Sequence, residues 1–285
     1  MGLAVAALAL AGACARPDGG GGATFGDPGD GGAVHRAVVL GPAASALVGE
    51  LGAANRVVGV SDWCTHPAFA DRPRVGGLID PDLERIAALE PDLVLVQGRQ
   101  PRLAEWCRLS GVRFRAAPVD TLEAWRAMVS EFGRLFAAEE AADELLRSWD
   151  AALAAVDPRD PRPRILLVAG RDPEALRDLL AAGPRGYLGE LLERAGGENV
   201  LADADRAWVP LREEVLVRRD PEVVVELWDR PPPRPPLEVW RETLPNLSAV
   251  RDGRVVVLVG PEYLQPGPEL PRLLGELAAV VAGKR

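Results

Sequence analysis

The chain is short of the residues on which most catalytic and nucleic-acid chemistry is built. Its 285 residues include two histidines, His35 and His66, and three cysteines. Two imidazoles exclude a metal centre assembled from several of them, so no metal site is expected. Gly-x-Gly-x-x-Gly, the P-loop and Gly-x-Ser-x-Gly are all absent, which removes the sequence signs of dinucleotide, nucleoside triphosphate and nucleophile-elbow chemistry. Val39-Leu40-Gly41-Pro42-Ala43-Ala44-Ser45 reads as strand, turn and helix, without the glycine spacing that a dinucleotide needs. Carboxylates are plentiful, but none has a companion that makes an acid–base pair specific. Neither enzyme activity nor a resident cofactor is expected. Positive charge is also scarce: 33 Lys and Arg stand against 42 Asp and Glu, a formal net charge of −9. The basic residues are mostly arginines scattered among acids, so no phosphate-binding surface and no nucleic-acid partner are expected.

What is present begins at the amino terminus. Residues 1–14 are an apolar run ending in Ala11-Gly12-Ala13-Cys14. The run is too short to remain a membrane-spanning helix and fits the apolar core and small-residue cleavage site of a secretory signal. A cysteine directly after Ala-Gly-Ala resembles a bacterial lipoprotein signal, in which that cysteine is acylated. Cys14 is thus the expected lipid anchor, and an ordinary signal peptide is the alternative. Residues 15–33 are Gly, Asp and Pro with almost nothing apolar. They form an expected flexible tether spanning on the order of 25 Å. The expected location is extracytoplasmic, in a periplasm or on the outer face of the cell membrane.

Beyond the tether, bare apolar runs at 37–40, 56–60, 93–96 and 112–116 alternate with helical patterns at 43–51, 83–89 and 101–110. This pattern implies a parallel sheet covered on both faces, forming an amino-terminal α/β lobe over 34–120. Residues 121–162 read as a helical connector; the stripe over Glu139 to Val156 would be roughly 27 Å long. A carboxy-terminal α/β lobe follows over 163–285, with strands at 165–169 and 255–259 and helices at 187–194 and 271–281. The expected fold class is therefore α/β, two lobes with parallel sheets. Cys64 falls after a strand and Cys107 late in a helix running toward the opposite sheet edge. That separation exceeds the ~7 Å limit for a disulfide, so two buried thiols are expected.

One phrase occurs twice. Glu84 to Val96 and Glu214 to Val225 each open a short amphipathic helix on a glutamate, end it on an acidic-proline step and continue as a bare Val/Leu strand. The glutamate-to-proline spacing is the same in both. Two copies so far apart suggest two similar lobes, each showing a carboxylate at a matching place.

The stretches Arg56-Val-Val-Gly-Val-Ser-Asp-Trp-Cys-Thr-His-Pro67, Pro73-Arg-Val-Gly-Gly77 and Asp82 to Val96 resemble periplasmic cobalamin-binding proteins. More broadly they resemble the helical-backbone metal receptor group of substrate-binding proteins for ABC importers. Gly196-Gly197-Glu-Asn-Val200, Trp208 and Leu247-Ser-Ala-Val-Arg-Asp-Gly-Arg-Val255 continue the likeness, which covers about 34–285. The resemblance implies two Rossmann-like lobes with parallel sheets, joined by a long helix, and a ligand cleft between them. It also implies glutamates that pair with arginines of the permease. Glu84 and Glu214 match those glutamates, with Glu213 adjacent. An ordinary first-turn glutamate, favoured by the helix dipole, is the bland alternative.

Trp63 and Trp208 match aromatic positions of cobalamin binders, and Tyr263 follows the last strand. Core packing is the alternative for each. His66 is either a polar ligand contact or a loop residue. The implied cargo is a cobalt corrinoid, with a ferric siderophore or haem as rivals. Arg99, Arg171 and Arg185 are the candidate cations for an anionic chelate. A two-lobed enzyme such as a nucleotide-sugar transferase is the reading from another class. The chain departs from the cobalamin pattern at Leu78, where a tryptophan is usual. It departs again in the loop of Glu262 and Gln265, which has no arginine, and at Arg212, which replaces a helix-capping Ser. The expected partners are an importer permease, a small metal chelate and, through Cys14, a membrane; the protein is expected to be a monomer.

Overall fold

The computed structural model describes residues 33–117, 120–157 and 160–285. The expected signal, Cys14 and nearly all of the tether lie outside the described residues. The described residues form two compact units. The first holds 33–117 and Glu123–Ser148; the second holds Asp120–Leu122 and Trp149–Arg285.

In the first unit β1 (Ala37–Leu40), α1 (Pro42–Glu50), β2 (Val57–Val60), α2 (Leu83–Ala88), β3 (Leu93–Gln97), α3 (Pro101–Ser110) and β4 (Arg113–Ala117) alternate. Helices α4 (Leu122–Leu135) and α5 (Glu139–Ala154) follow. The strands are all parallel, in the order β2-β1-β3-β4. Every residue of β1 is buried, as are Leu93 to Val96 of β3. Central strands of a parallel sheet are covered on both faces, which is why these runs lack polar alternation. Edge strand β4 instead carries Arg115, which pairs with Glu131 of α4 at 3.5 Å. Burial pushes the Glu131 carboxyl up, against the pull of Arg115 and Arg134.

Trp125, Met128, Val129 and Phe132 of α4 are buried, and the Val34 amide donates to the Leu135 carbonyl at 3.4 Å. Gly133 lets α4 and α5 approach closely: a Cβ there would lie 2.7 Å from the Ala142 Cβ. The stretch expected as a connector is thus shared, since α5 begins in the first unit and ends in the second.

The second unit continues with β5 (Arg164–Gly170), β6 (Leu179–Ala182), α6 (Tyr187–Arg194), β7 (Glu198–Asn199), β8 (Trp208–Leu211) and α7 (Glu213–Arg219). It closes with β9 (Val223–Trp228), α8 (Pro236–Thr243), α9 (Ser248–Arg251), β10 (Val255–Val259) and α10 (Leu270–Val281). Its sheet runs β10-β9-β5-β6-β8, with β7 also beside β5. The α/β class holds, but this sheet is mixed where a parallel one was expected. Strands β10, β9, β5 and β7 are parallel, β6 runs antiparallel to β5, and β8 runs antiparallel to β6 and so in the direction of β5. The stretch 171–178 is too short for the crossover that parallel pairing of β5 with β6 would need. Leu166, Val168, Val224, Leu216, Trp240 and Val250 are part of the core on one face of this sheet. Cys64 and Cys107 are buried and unbridged.

Candidate functional site

The repeated phrase is one structural unit. Glu84 and Glu214 each hold the second residue of their helix, after Leu83 in α2 and Glu213 in α7. Both are exposed. Two residues on, Ile86 and Leu216 are buried and anchor their helices. Glu90 at φ 46° and Asp220 at φ 40° then turn the chain left-handed before Pro91 and Pro221, since a following proline disfavours helical geometry. Strands β3 and β9 follow. The equal helix position makes Glu214, not Glu213, the counterpart of Glu84.

The match extends to residues far away in the chain. Arg36 donates to the carbonyls of Glu90 and Leu89 at 3.0 and 2.6 Å. Arg164 donates to those of Asp220, at 3.3 Å, and Arg219. The Arg36 carbonyl accepts from the Asp92 amide and the Arg164 carbonyl from the Glu222 amide, both at 2.9 Å. In each unit, an arginine at the start of the first strand thus satisfies the orphan carbonyls of the glutamate helix. The amino-terminal ends differ. Asp82 accepts from the Arg85 amide at 3.0 Å and caps α2, whereas Arg212 gives α7 no side-chain cap.

The carboxyl ends of β1 and β3 form a topological switch point, where open α/β sheets receive ligands. A nucleotide-binding lobe would place phosphate on the α1 amino terminus there. Here the protein fills that place itself. Gln97 Oε1 accepts from the Ala43 amide at 3.0 Å, and the Gly41 amide donates to Ser61 Oγ at 3.0 Å. Pro42 has no N–H to offer. Gly41 is required by its φ of 110° and by the 2.5 Å that would separate a Cβ from Gln97 Cβ.

Beside this point the rim of the first sheet carries exposed apolar side chains, with the exposed Asp62 and Arg99 near them. Trp63, which follows β2, is 43% exposed, and its indole nitrogen lies next to Gly77. The Gly76–Leu78 loop is tied down: its Gly76 carbonyl accepts from the Asp62 amide at 2.9 Å, and its Leu78 carbonyl accepts from Gln100 Nε2 at 2.7 Å. Leu78 turns inward at 6% exposure, and Ile79 outward at 71%. His66 is half-buried, with Nδ1 accepting from the Ala68 amide at 3.3 Å and the ring 5.6 Å from Phe69. It caps the turn Pro67–Phe69 and packs against Gly49 of α1.

In the second unit Trp208 is half-buried, edge-to-face with Tyr187 at 6.3 Å and 77°. It pairs with Ala182, while Leu211 pairs with Leu179. Because Leu180 pairs with Gly170, Leu211, not Trp208, is nearer the carboxyl end of β5. The Tyr187 hydroxyl is buried with no partner among the described residues, and burial raises its pKa. Tyr263 is 2% exposed. Its hydroxyl donates to Glu276 at 2.8 Å and Arg272 lies 4.9 Å over its ring, so its ring has no open face in this structure. Burial first, and Glu276 second, raise its pKa.

The expected cations fare differently. Arg171 is withdrawn from any ligand: its guanidinium meets the Glu226 carboxylate at 2.7 and 3.2 Å, and both side chains are 1% exposed. Glu226 also accepts from Trp228 Nε1 at 2.7 Å and Trp240 Nε1 at 2.6 Å. Arg185 pairs with Asp205 at 2.8 Å, and Arg99 is exposed. The signal for this network lies in the sequence, as a lone glutamate in the strand Val223-Val-Val-Glu-Leu-Trp228; a carboxylate buried among aliphatics needs partners. A hollow of about 300 Å³, lined by Arg254, Val256, Val280 and Arg285 among others, lies at the amino ends of β9 and β10, away from these residues. Among the described residues no cluster of His, Cys, Asp and Glu could hold a metal, and no helix is long and apolar enough to cross a membrane.

These features, two α/β units each carrying an exposed glutamate at the second position of a matching helix, accompany a match of residues 37–260 to the family described as periplasmic binding protein. The chain belongs to that family. It is a binding protein rather than an enzyme, it takes a small-molecule ligand rather than a resident cofactor, and its place is extracytoplasmic. It is 31% identical over 259 residues to the cobalamin-binding protein of Halobacterium salinarum, covering 86% of this chain and 68% of that one. It is 28% identical over 200 residues to the vitamin B12-binding protein of Salmonella typhi, covering 68% and 72%. Among solved structures, a periplasmic heme-binding protein from Pseudomonas aeruginosa is similar with TM-score 0.68 and 29% identity over 87% of this chain and 92% of that one. The periplasmic vitamin B12 binding protein of Vibrio cholerae has TM-score 0.70 over 87% and 97%, and at 20% identity it shares the fold.

Proposed function

We propose that this protein captures a corrinoid of the cobalamin class outside the cytoplasm and hands it to an ABC importer, docking on the permease through Glu84 and Glu214. The observation that carries the docking role is the twofold use of one device. An exposed glutamate stands at the second position of a helix whose far end is clamped by an arginine. Carboxylates held this way select orientation and speed encounter with a basic surface more than they add affinity. The corrinoid is supported by the cobalamin-binding relative and by the exposed indole of Trp63, an apolar surface suited to a flat macrocycle, next to the loop that carries the exposed Ile79. Cys14 is the proposed lipid anchor, and the carrier works as a monomer.

Titration with cyanocobalamin and a transport assay in cells carrying the cognate permease test the two halves separately. Glu84→Ala with Glu214→Ala leaves cobalamin affinity unchanged and lowers uptake. Normal uptake in the double variant would refute docking, and absence of corrinoid binding by the purified protein would refute the ligand. The second reading is a heme carrier, favoured by the 29% identity to the heme-binding protein across 92% of its length; hemin titration of the same preparation decides between them. For a siderophore, the buried pairing with Glu226 removes Arg171 and leaves the exposed Arg99 and Arg185 as its candidate cations.

A further inference from the structure

We infer that Trp228 and Val259 form a ligand shelf at the carboxyl rim of the second unit's sheet, on which the flat face of a corrin or porphyrin lies. This rests on the proposed reading of the ligand as a metal macrocycle. Three observations carry it.

Glu226 sits in the middle of a buried strand and is 0% exposed. Its carboxylate accepts from Arg171 twice, from Trp240 and from Trp228. A buried ion pair contributes little net stability, and its established use is to specify one arrangement. Trp240 belongs to the core at 0% exposure, so Trp228 is the partly exposed member of this network. The network holds a surface indole by its nitrogen, and an aromatic held beforehand loses less rotamer freedom when a ligand stacks on it. The Arg171 guanidinium lies 5.0 Å over one side of the ring, so the inferred shelf is the opposite side. Glu226 compensates the Arg171 charge, so the shelf suits an uncharged planar face rather than a carboxylate.

The second observation is register. Trp228 ends β9 and pairs with Val259, which ends β10. In a parallel pair such neighbours share a face, and Val259 is 44% exposed. The two make a continuous apolar surface where ligands of this fold class bind. Third, Trp208 pairs with Ala182 and stands short of that rim, so Trp228 is the indole at the strand ends.

The test titrates cyanocobalamin and hemin into wild type, Trp63→Ala, Trp228→Ala, Trp228→Phe and Val259→Asp. For whichever probe the wild type binds, Trp228→Ala and Val259→Asp are expected to weaken binding at least about fivefold, and Trp228→Phe less than about twofold. Val259→Asp keeps the test open if Trp228→Ala fails to fold, because Val259 is 44% exposed at the end of its strand. Unchanged affinity in both variants, with a loss in Trp63→Ala, overturns the shelf and leaves the carrier reading standing. A wild type that binds neither probe overturns the carrier reading and the shelf with it.

Discussion

Replacing Trp63 by alanine separates ligand contact from structural support. An indole buries at most about 250 Å² when fully covered. Trp63 is 43% exposed, so about 100 Å² is available to a ligand. At about 25 cal/mol per Å² that area amounts to about 2.5 kcal/mol, or somewhat under a hundredfold in Kd. A macrocycle covering only half of it still changes Kd by about tenfold. The protein itself should lose less than about 0.5 kcal/mol, because the removed surface is already in water. Calorimetric titration with cyanocobalamin or hemin and a thermal melt on the same preparation read the two quantities. The expected outcome is a Kd raised about tenfold or more with an unmoved melting temperature. A Kd within about twofold of wild type would show that the ligand does not cover Trp63. An equal loss of Kd and melting temperature would mark Trp63 as structural.

Glu226→Leu leaves Arg171 buried without a counter-charge and should cost about 3–5 kcal/mol in urea unfolding, most of it recovered by Arg171→Met in the same chain; a single-variant loss under about 1 kcal/mol contradicts the network. Arg212 already has cap geometry at φ −113° and ψ 160° but makes no cap bond, so Arg212→Ser should add about 1 kcal/mol to stability without changing ligand affinity. Burial pushes the Cys107 thiol up to about 12; at pH 8 native protein should leave it unalkylated by iodoacetamide until unfolded, and alkylation at the rate of a free cysteine refutes its burial. The Ser248 amide and hydroxyl, with lesser pulls from Arg251 and Arg164, hold the Asp220 carboxyl below the usual carboxylate range. Its folded pKa is depressed, so its contribution is present above about pH 4 and lost as pH falls through the lowered value. Asp220→Asn should make acid unfolding less steep, and an unchanged acid transition counts against that bond.

The duplicated helix-to-strand unit was legible because all its parts are local: a first-turn glutamate, one buried aliphatic, an acidic-proline stop and an apolar strand. The arginines that close each copy were not. Arg36 and Arg164 come from distant segments and reach the helix ends only when β1 pairs with β3 and β5 with β9. Strands β6 and β8 also escaped notice. They are four residues each, and nothing in Leu179–Ala182 separates a short strand from an apolar loop. Tyr263 has the sequence position of a rim residue, yet Arg272 and Glu276 of α10 cover it. Leu78 stands in the Gly-Gly loop where cobalamin binders carry a tryptophan, and the structure turns it inward and Ile79 outward. A side chain's face in an irregular loop depends on hydrogen bonds such as Gln100 to Leu78, which no periodicity encodes.

By itself the sequence determined the α/β class, the two glutamates at matching places and the lack of dinucleotide, P-loop and nucleophile-elbow motifs, because composition and short-range pattern suffice for each. Only the tertiary structure decided which candidates face solvent. It made Glu214 the counterpart of Glu84, took Arg171 out of reach of any ligand and brought Trp228 beside Val259 at a strand end. Those outcomes depend on strand register and on the pairing of a buried carboxylate, and both are set when distant segments meet.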